Sequence, residues 1–204
     1  MRIAYFGGAF DPPHTGHLAE ARAVLACGAA EQVWLAPSFA PPHKPHGGTA
    51  SFADRVAMLE RLIADEPAMT VSEIERELAL TPSYTFSVLT ELERRHPADR
   101  FVLLVGGDSL RDLHRWYRGR ELAERFEVWT FPRPGAEVSA ELLSAVWPRE
   151  TAEKLASHQL AGTLSGASSS AIRAALAAGN EPEGLTAPVL AYIRDNHLYG
   201  GRKI

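Results

Sequence analysis

The sequence contains one cysteine, Cys27, in 204 residues. It can therefore form no internal disulfide and no cysteine-built zinc site, and it suits a reducing compartment. No apolar run approaches the ~20 residues needed to cross a bilayer. The first residues read directly as a strand, without a basic segment leading into an apolar one, so no signal peptide is expected. Positive charge is not in excess either: 21 Lys and Arg face 25 Asp and Glu, a net charge of −4. General polyanion binding, nucleic acid included, is thereby disfavoured, and any affinity for phosphate must come from a local cluster of cationic groups. There is no internal repeat, and the 14 prolines and 16 glycines are spread along the chain rather than concentrated. With 46% hydrophobic and 23% charged residues, the composition is that of a cytoplasmic globular protein. Its length suits one sizeable core and a single domain over residues 1–204.

Strand-length apolar runs alternate with helical patterns. Residues 2–6, 32–36, 100–105 and 126–131 read as strands, with a short extended piece at 70–72. The runs at 2–6 and 100–105 are apolar on both faces, as in a parallel sheet covered by helices on either side. Helices are expected over 15–27, with Thr15 as N-cap and Gly28 closing the end, and over 52–64, with Val56, Leu59, Leu62 and Ile63 inward. Further helices are expected over 83–95, 168–178 and 187–196, the last two forming a small C-terminal helical part from about residue 165. Residues 136–162 have weak periodicity and read as a surface excursion. The pattern predicts an α/β fold, a doubly wound and mainly parallel sheet with helices on both faces. In such folds ligands bind beyond the carboxyl ends of the strands, and the unusual residues all follow strands.

After the first strand comes GGAFDPPHTGH, residues 7–17. Gly7 and Gly8 permit a ligand to approach the main chain closely. His14 and His17 lie at the start of a helix, where free N–H groups and the helix dipole favour anions. A phosphate cradle, a metal site using Asp11, His14 and His17, and a tight turn with incidental histidines all fit this stretch alone. SSSAIR, residues 168–173, repeats the logic near the other end of the chain. Its serines offer an N-cap and hydroxyl donors, and Arg173 falls near a helix start, where a bound anion would offset the unfavourable dipole. Elsewhere, His43 and Lys44 sit in a proline-bounded loop, and Ser83-Tyr84-Thr85 opens a helix whose amides could hold a carboxylate. Gly106 and Asp108 follow the strand at 100–105, Trp116-Tyr117 could stack on a planar ring, and Arg133 follows the last strand. Each has an ordinary structural alternative: a turn, a cap, a solvated loop or a core aromatic.

Together these motifs resemble the HxGH nucleotidyltransferase superfamily and, within it, the bacterial type of nicotinate-mononucleotide adenylyltransferase. The resemblance runs in order over nearly the whole chain: His14-Thr15-Gly16-His17, PPHK at 41–44, SYT at 83–85, GGDS at 106–109, WY at 116–117, RPG at 133–135 and SSSAIR. It implies a Rossmann-like fold and transfer of AMP from ATP to nicotinate mononucleotide, with Mg2+ brought by ATP. It further implies that His14, His17 and Arg173 are catalytic, holding the ATP phosphates. Gly7, Gly8, Phe10, Gly106, Asp108, Ser168, Ser169 and Ser170 would bind ATP. His43, Lys44 and Arg133 would lie near the mononucleotide phosphate. Thr85 and Tyr117 would bind the nicotinate carboxylate through main-chain amides, with Trp116 stacking on the pyridine ring. The chain departs from the family pattern at Ser38-Phe39, where asparagine is common, and at Ala167, where a bulky aliphatic is usual.

The implied reaction needs no protein nucleophile, because the acceptor phosphate attacks the α-phosphorus in line; positioning and charge stabilisation carry the catalysis. Nicotinamide mononucleotide and phosphopantetheine are the rival acceptors. A metallohydrolase using Asp11, His14 and His17, completed by Asp108 or His114, and a non-catalytic nucleotide sensor are the rivals from other classes. No membrane or nucleic-acid partner is expected, and a homodimer is compatible with the sequence.

Overall fold

The computed structural model describes residues 1–39, 50–131, 135–136, 138–161 and 166–200. Five strands, β1 (Arg2–Gly8), β2 (Gln32–Pro37), β3 (Met69–Val71), β4 (Arg100–Gly106) and β5 (Glu127–Phe131), form one sheet in the order β3-β2-β1-β4-β5. Every adjacent pair is parallel. The winding reverses between β1 and β4, so a crevice opens beyond the carboxyl ends of these two strands. The sheet is the doubly wound architecture that the alternating pattern predicts.

Strand residues alternate between two cores, as a period of two requires. Ala4, Phe6, Val33, Leu35, Leu104 and Phe131 face one side. There they pack with α1 (Thr15–Ala26), α2 (Phe52–Leu62), α9 (Ser169–Ala177) and α10 (Ala187–Asp195). Ile3, Tyr5, Phe101, Leu103, Val105 and Val128 face the other side. Their partners come from α4 (Thr85–Arg95), α5 (Gly107–Asp112), α6 (Gly119–Arg125) and α8 (Arg149–Ser157). The C-terminal helices thus share the core of α1 and α2, through Ile172, Leu176, Val189 and Ile193.

Several local expectations change. His14, with extended backbone, is the N-cap of α1, and Thr15 is its first helical residue. Gly28 does close the helix with a left-handed φ of 75°. On α2, Met58, Leu59, Leu62 and Ile63 are buried but Val56 is only half-buried, while Arg55 is 9% exposed. The described part of residues 136–162 is not a surface excursion. Leu143 from α7 (Ala140–Leu143), Trp147, and Ala152 and Leu155 from α8 enter the second core. Gln159 bridges to Thr130 in parallel register, and Leu160 enters the first core. The short helices α3 (Ile74–Leu78), α6, α7 and α8 have too few turns to show a clear period in sequence. Among the described residues no helix is long and apolar enough to cross a membrane.

Candidate active site

From Phe10 to His14 the turn between β1 and α1 is buried. Phe10 is 1%, Asp11 4%, His14 3% and His17 8% exposed. Phe10 takes a positive φ of 48°, and the Asp11–Pro12 peptide is cis. Left-handed backbone at a non-glycine residue is uncommon and concentrates at functional turns. The backbone N–H of His14 donates to His17 Nδ1 at 3.2 Å. The two imidazoles stack with centroids 3.7 Å apart and an interplanar angle of 23°. With Nδ1 accepting, the neutral ring of His17 carries its proton on Nε2 and presents that nitrogen as a donor. The Phe10 ring meets His17 edge-on at 4.8 Å. Phe10 is therefore placed to buttress the histidine. A Cβ on Gly16 would stand 2.9 Å from the His14 ring, which explains the glycine between the histidines.

The start of α9 closes on this turn from the far end of the chain. Ser168 caps the helix, its hydroxyl accepting from the Ala171 N–H at 3.2 Å. Ser169 Oγ donates to the Pro12 carbonyl at 2.9 Å. Arg173 Nη1 donates to the Asp11 carbonyl at 2.6 Å, and its Nη2 to Ser170 Oγ at 3.2 Å. Thr15 N–H reaches Gly184 O, beyond α9, at 2.8 Å. The histidine and serine–arginine motifs thus meet as one cluster.

Behind it lies a buried polar network. Arg55 donates to the carbonyls of Ala9 and Ser38, each at 2.8 Å. It thereby ties the exit of β1 to that of β2. Ser38 reinforces the tie, its N–H reaching Gly8 O at 2.8 Å. Glu75, from α3 on the other face, accepts from Tyr5 Oη at 2.9 Å and from Phe39 N–H at 3.1 Å. Burial pushes the Glu75 carboxyl above the usual carboxylate range, opposed by the hydroxyls and amide around it and by Arg55. Burial also lowers Arg55, partly offset by Asp11, Tyr199 and Glu75. The same burial, together with the charge of Glu75, raises the Tyr5 phenol.

The second wall comes from the β4 side. Gly106 ends β4, and Gly107 begins α5 with no room for a side chain, since its Cβ would lie 2.4 Å from Ala136 O. Asp108 is exposed in the first turn of α5. Tyr84, the N-cap of α4, stacks on Tyr117 with centroids 4.5 Å apart. That stack draws the SYT and WY segments together, with Thr85 first in its helix. Trp116 is half-buried and packs partly on the second core, whereas Tyr117 is 50% exposed. Gly7 and Gly8 stand at the end of β1 between the two walls. His43, Lys44 and Arg133 lie outside the described residues.

Among the described residues no group of three His, Cys, Asp or Glu side chains is arranged to hold a metal ion, Asp11, His14 and His17 included. Asp11 Oδ1 is instead occupied by the Ala50 N–H at 3.0 Å and the Tyr199 hydroxyl at 2.7 Å. A cleft of about 610 Å³ lies at the opposite end of the sheet, lined by Arg2, Glu93, Arg100, Arg125, Glu127 and Lys154. Arg2–Glu127 and Arg125–Glu93 already pair there, and none of the motif residues reaches it.

Sequence reasoning missed Arg55, Glu75 and Tyr199. A charged residue on the inward stripe of α2 was the available signal for Arg55. Nothing local marks the other two.

Residues 5–175 match the family model described as cytidylyltransferase-like. A protein of Solibacter usitatus, named "Probable nicotinate-nucleotide adenylyltransferase", is 36% identical over 98% of this chain and 100% of its own length. One of the same name from Gloeobacter violaceus is 43% identical over 66% of this chain and 65% of its own. Among solved structures, the Plasmodium falciparum nicotinic acid mononucleotide adenylyltransferase complexed with NaAD matches 98% of each chain with a TM-score of 0.81 at 18% identity. That last likeness is one of fold. The sequence matches go further, and by them the chain belongs to the cytidylyltransferase-like family and, within it, to the nicotinate-nucleotide adenylyltransferases.

Proposed function

We propose that the protein transfers the adenylyl group of ATP to nicotinate mononucleotide, giving nicotinate adenine dinucleotide and pyrophosphate in NAD synthesis. The observation that carries this reading is the meeting of His14 and His17 with Arg173 and its serines, at the crevice where the sheet reverses. A phosphate of the mononucleotide attacks the α-phosphorus of ATP, the new P–O bond forms in line, and the bond to the departing pyrophosphate breaks. No covalent enzyme intermediate is required. His17, through Nε2–H, and Arg173, through its guanidinium N–H groups, hold the triphosphate and oppose the charge that grows on the leaving oxygens. His14 stacks on His17 and keeps that donor aimed.

Gly7, Gly8, Gly106 and Asp108 are assigned to the nucleotide, along with Ser168, Ser169 and Ser170. Ser168 acts by capping α9 and Ser169 by holding that helix on the turn, as their bonds to Ala171 and Pro12 support. Phe10 serves through His17. For the acceptor, the first amides of α4, opened by Thr85, have no partner inside their helix and suit a carboxylate. The Tyr84–Tyr117 stack supports their closeness to Trp116-Tyr117. His43, Lys44 and Arg133 are assigned to the mononucleotide phosphate. Mg2+ enters on the triphosphate as part of the substrate.

The test is pyrophosphate release from ATP with nicotinate mononucleotide, nicotinamide mononucleotide or phosphopantetheine as acceptor. Highest kcat/KM is expected for the first. Turnover only with phosphopantetheine, or ATP binding without turnover, would overturn the reading.

A further inference from the structure

Asp11 divides its carboxylate between two sides. Oδ1 accepts the Tyr199 hydroxyl at 2.7 Å and the Ala50 N–H at 3.0 Å. Oδ2 stands 3.8 Å from Arg173 Nη1, beyond hydrogen-bond distance. Arg173 gives that nitrogen to the Asp11 main-chain carbonyl instead, at 2.6 Å. A carboxylate and a guanidinium this close ordinarily close into a short, two-point pair. The Asp11 side chain is only 5% exposed and that of Arg173 33%.

Tyr199 is fixed firmly enough to set this geometry. It lies in the 3-10 turn Leu198–Gly200 with a left-handed φ of 58°, a conformation tolerated only where packing imposes it. That turn packs on α9, the helix carrying Arg173, and on α10. Leu198 and Tyr199 both rest against the first core. Burial, then the bond to Asp11, raises the phenol well above its ordinary range, so the hydroxyl remains a donor at every working pH.

We infer that Tyr199 is a positioning residue that, with the Ala50 N–H, keeps the Asp11 carboxylate turned away from Arg173, so that the guanidinium keeps its charge and N–H groups for phosphate. Without the hydroxyl, Asp11 rotates onto Arg173 and competes with the substrate. The inference rests on the phosphate role proposed for Arg173.

Tyr199→Phe deletes the hydroxyl and keeps the ring. The expected result is a fall in kcat of about 10-fold, with a comparable loss of magnesium pyrophosphate affinity by calorimetry and an unchanged KM for the mononucleotide. Adding Asp11→Asn removes the competing charge, so Tyr199→Phe should weaken pyrophosphate binding far less in that background. Wild-type kcat and pyrophosphate affinity in Tyr199→Phe would overturn the inference. So would an equal loss in both Asp11 backgrounds, which would assign the hydroxyl a packing role alone. Failure of the adenylyl-transfer reading is distinguishable, because it would appear as absent turnover in the wild-type protein.

Discussion

His17 Nδ1 accepts the backbone N–H of His14 while their rings stack 3.7 Å apart, so the proton of the neutral His17 is committed to Nε2. One nitrogen of His17 holds the turn, and the other is the one for which the phosphate role is proposed. A substitution can separate these roles, because asparagine places an acceptor near Nδ1 and glutamine places a donor near Nε2.

His17→Asn should keep the turn and lose about 10²–10³ in kcat, the usual cost of one donor to a charged transition state. His17→Gln should retain more activity than His17→Asn. Steady-state pyrophosphate release checks both. His17→Ala is a poorer probe, since the ring is 8% exposed between His14 and Phe10 and its loss leaves a cavity. The bare sequence suggests that His17→Ala leaves stability nearly untouched; the buried ring corrects this to a loss of about 1–3 kcal/mol.

Arg173→Lys should fall well short of wild type despite keeping the charge. The guanidinium uses one nitrogen on the Asp11 carbonyl and another on Ser170 while its remaining N–H groups point elsewhere, a fork that an ammonium cannot reproduce. With the side chain 33% exposed, stability should change little. Thermal melts beside kcat/KM for ATP test the pair of expectations.

Glu75 gives a pH signature. Its folded-state pKa is raised above 4.5, chiefly by burial, so the folded protein binds this proton more tightly than the unfolded chain does. Below pH 4.5 both states are protonated and the group contributes no pH dependence. As pH rises from 4.5 through the folded pKa, the contribution turns unfavourable, and it stays so above. Urea denaturation across pH 4–7 should therefore show wild-type stability falling with pH relative to Glu75→Gln over that window. Parallel curves would contradict this account.

Gly107→Ala should destabilise the protein by about 1–3 kcal/mol, as overpacking does, because its Cβ would meet Ala136 O at 2.4 Å. The obstacle is backbone rather than a flexible side chain, so the main chain at Ala136 must shift. Differential scanning calorimetry measures the loss. Gly28→Ala tests a different cost: nothing lies near its Cβ, and only its φ of 75° resists the change.

The sheet was readable because β1 and β4 are apolar on both faces, and a strand buried on both sides permits few other arrangements. The histidine and serine–arginine motifs were readable because helix starts have local chemistry: a cap, free amides and a dipole. The segment 136–162 was not, because its helices are short and its buried residues are spaced by packing against α6 and β5 rather than by a period. Arg55 and Glu75 were missed for a related reason. Each looks like an ordinary surface charge until the exits of β1 and β2 close over it.

The order of the strands and of the longer helices, the two helix-start motifs and the family they resemble follow from residues close together in the chain, where propensity and capping act. Which motifs share a site was settled by the parallel crossovers, which bring α1 and α9 to one end of the sheet. The finest adjustment, Tyr199 on Asp11 across 188 positions, has no local signal. A hydrogen bond between such distant groups exists only after the core has fixed both backbones. That is why the sequence offers the proposed phosphate ligands, while only the tertiary structure brings Tyr199 onto Asp11.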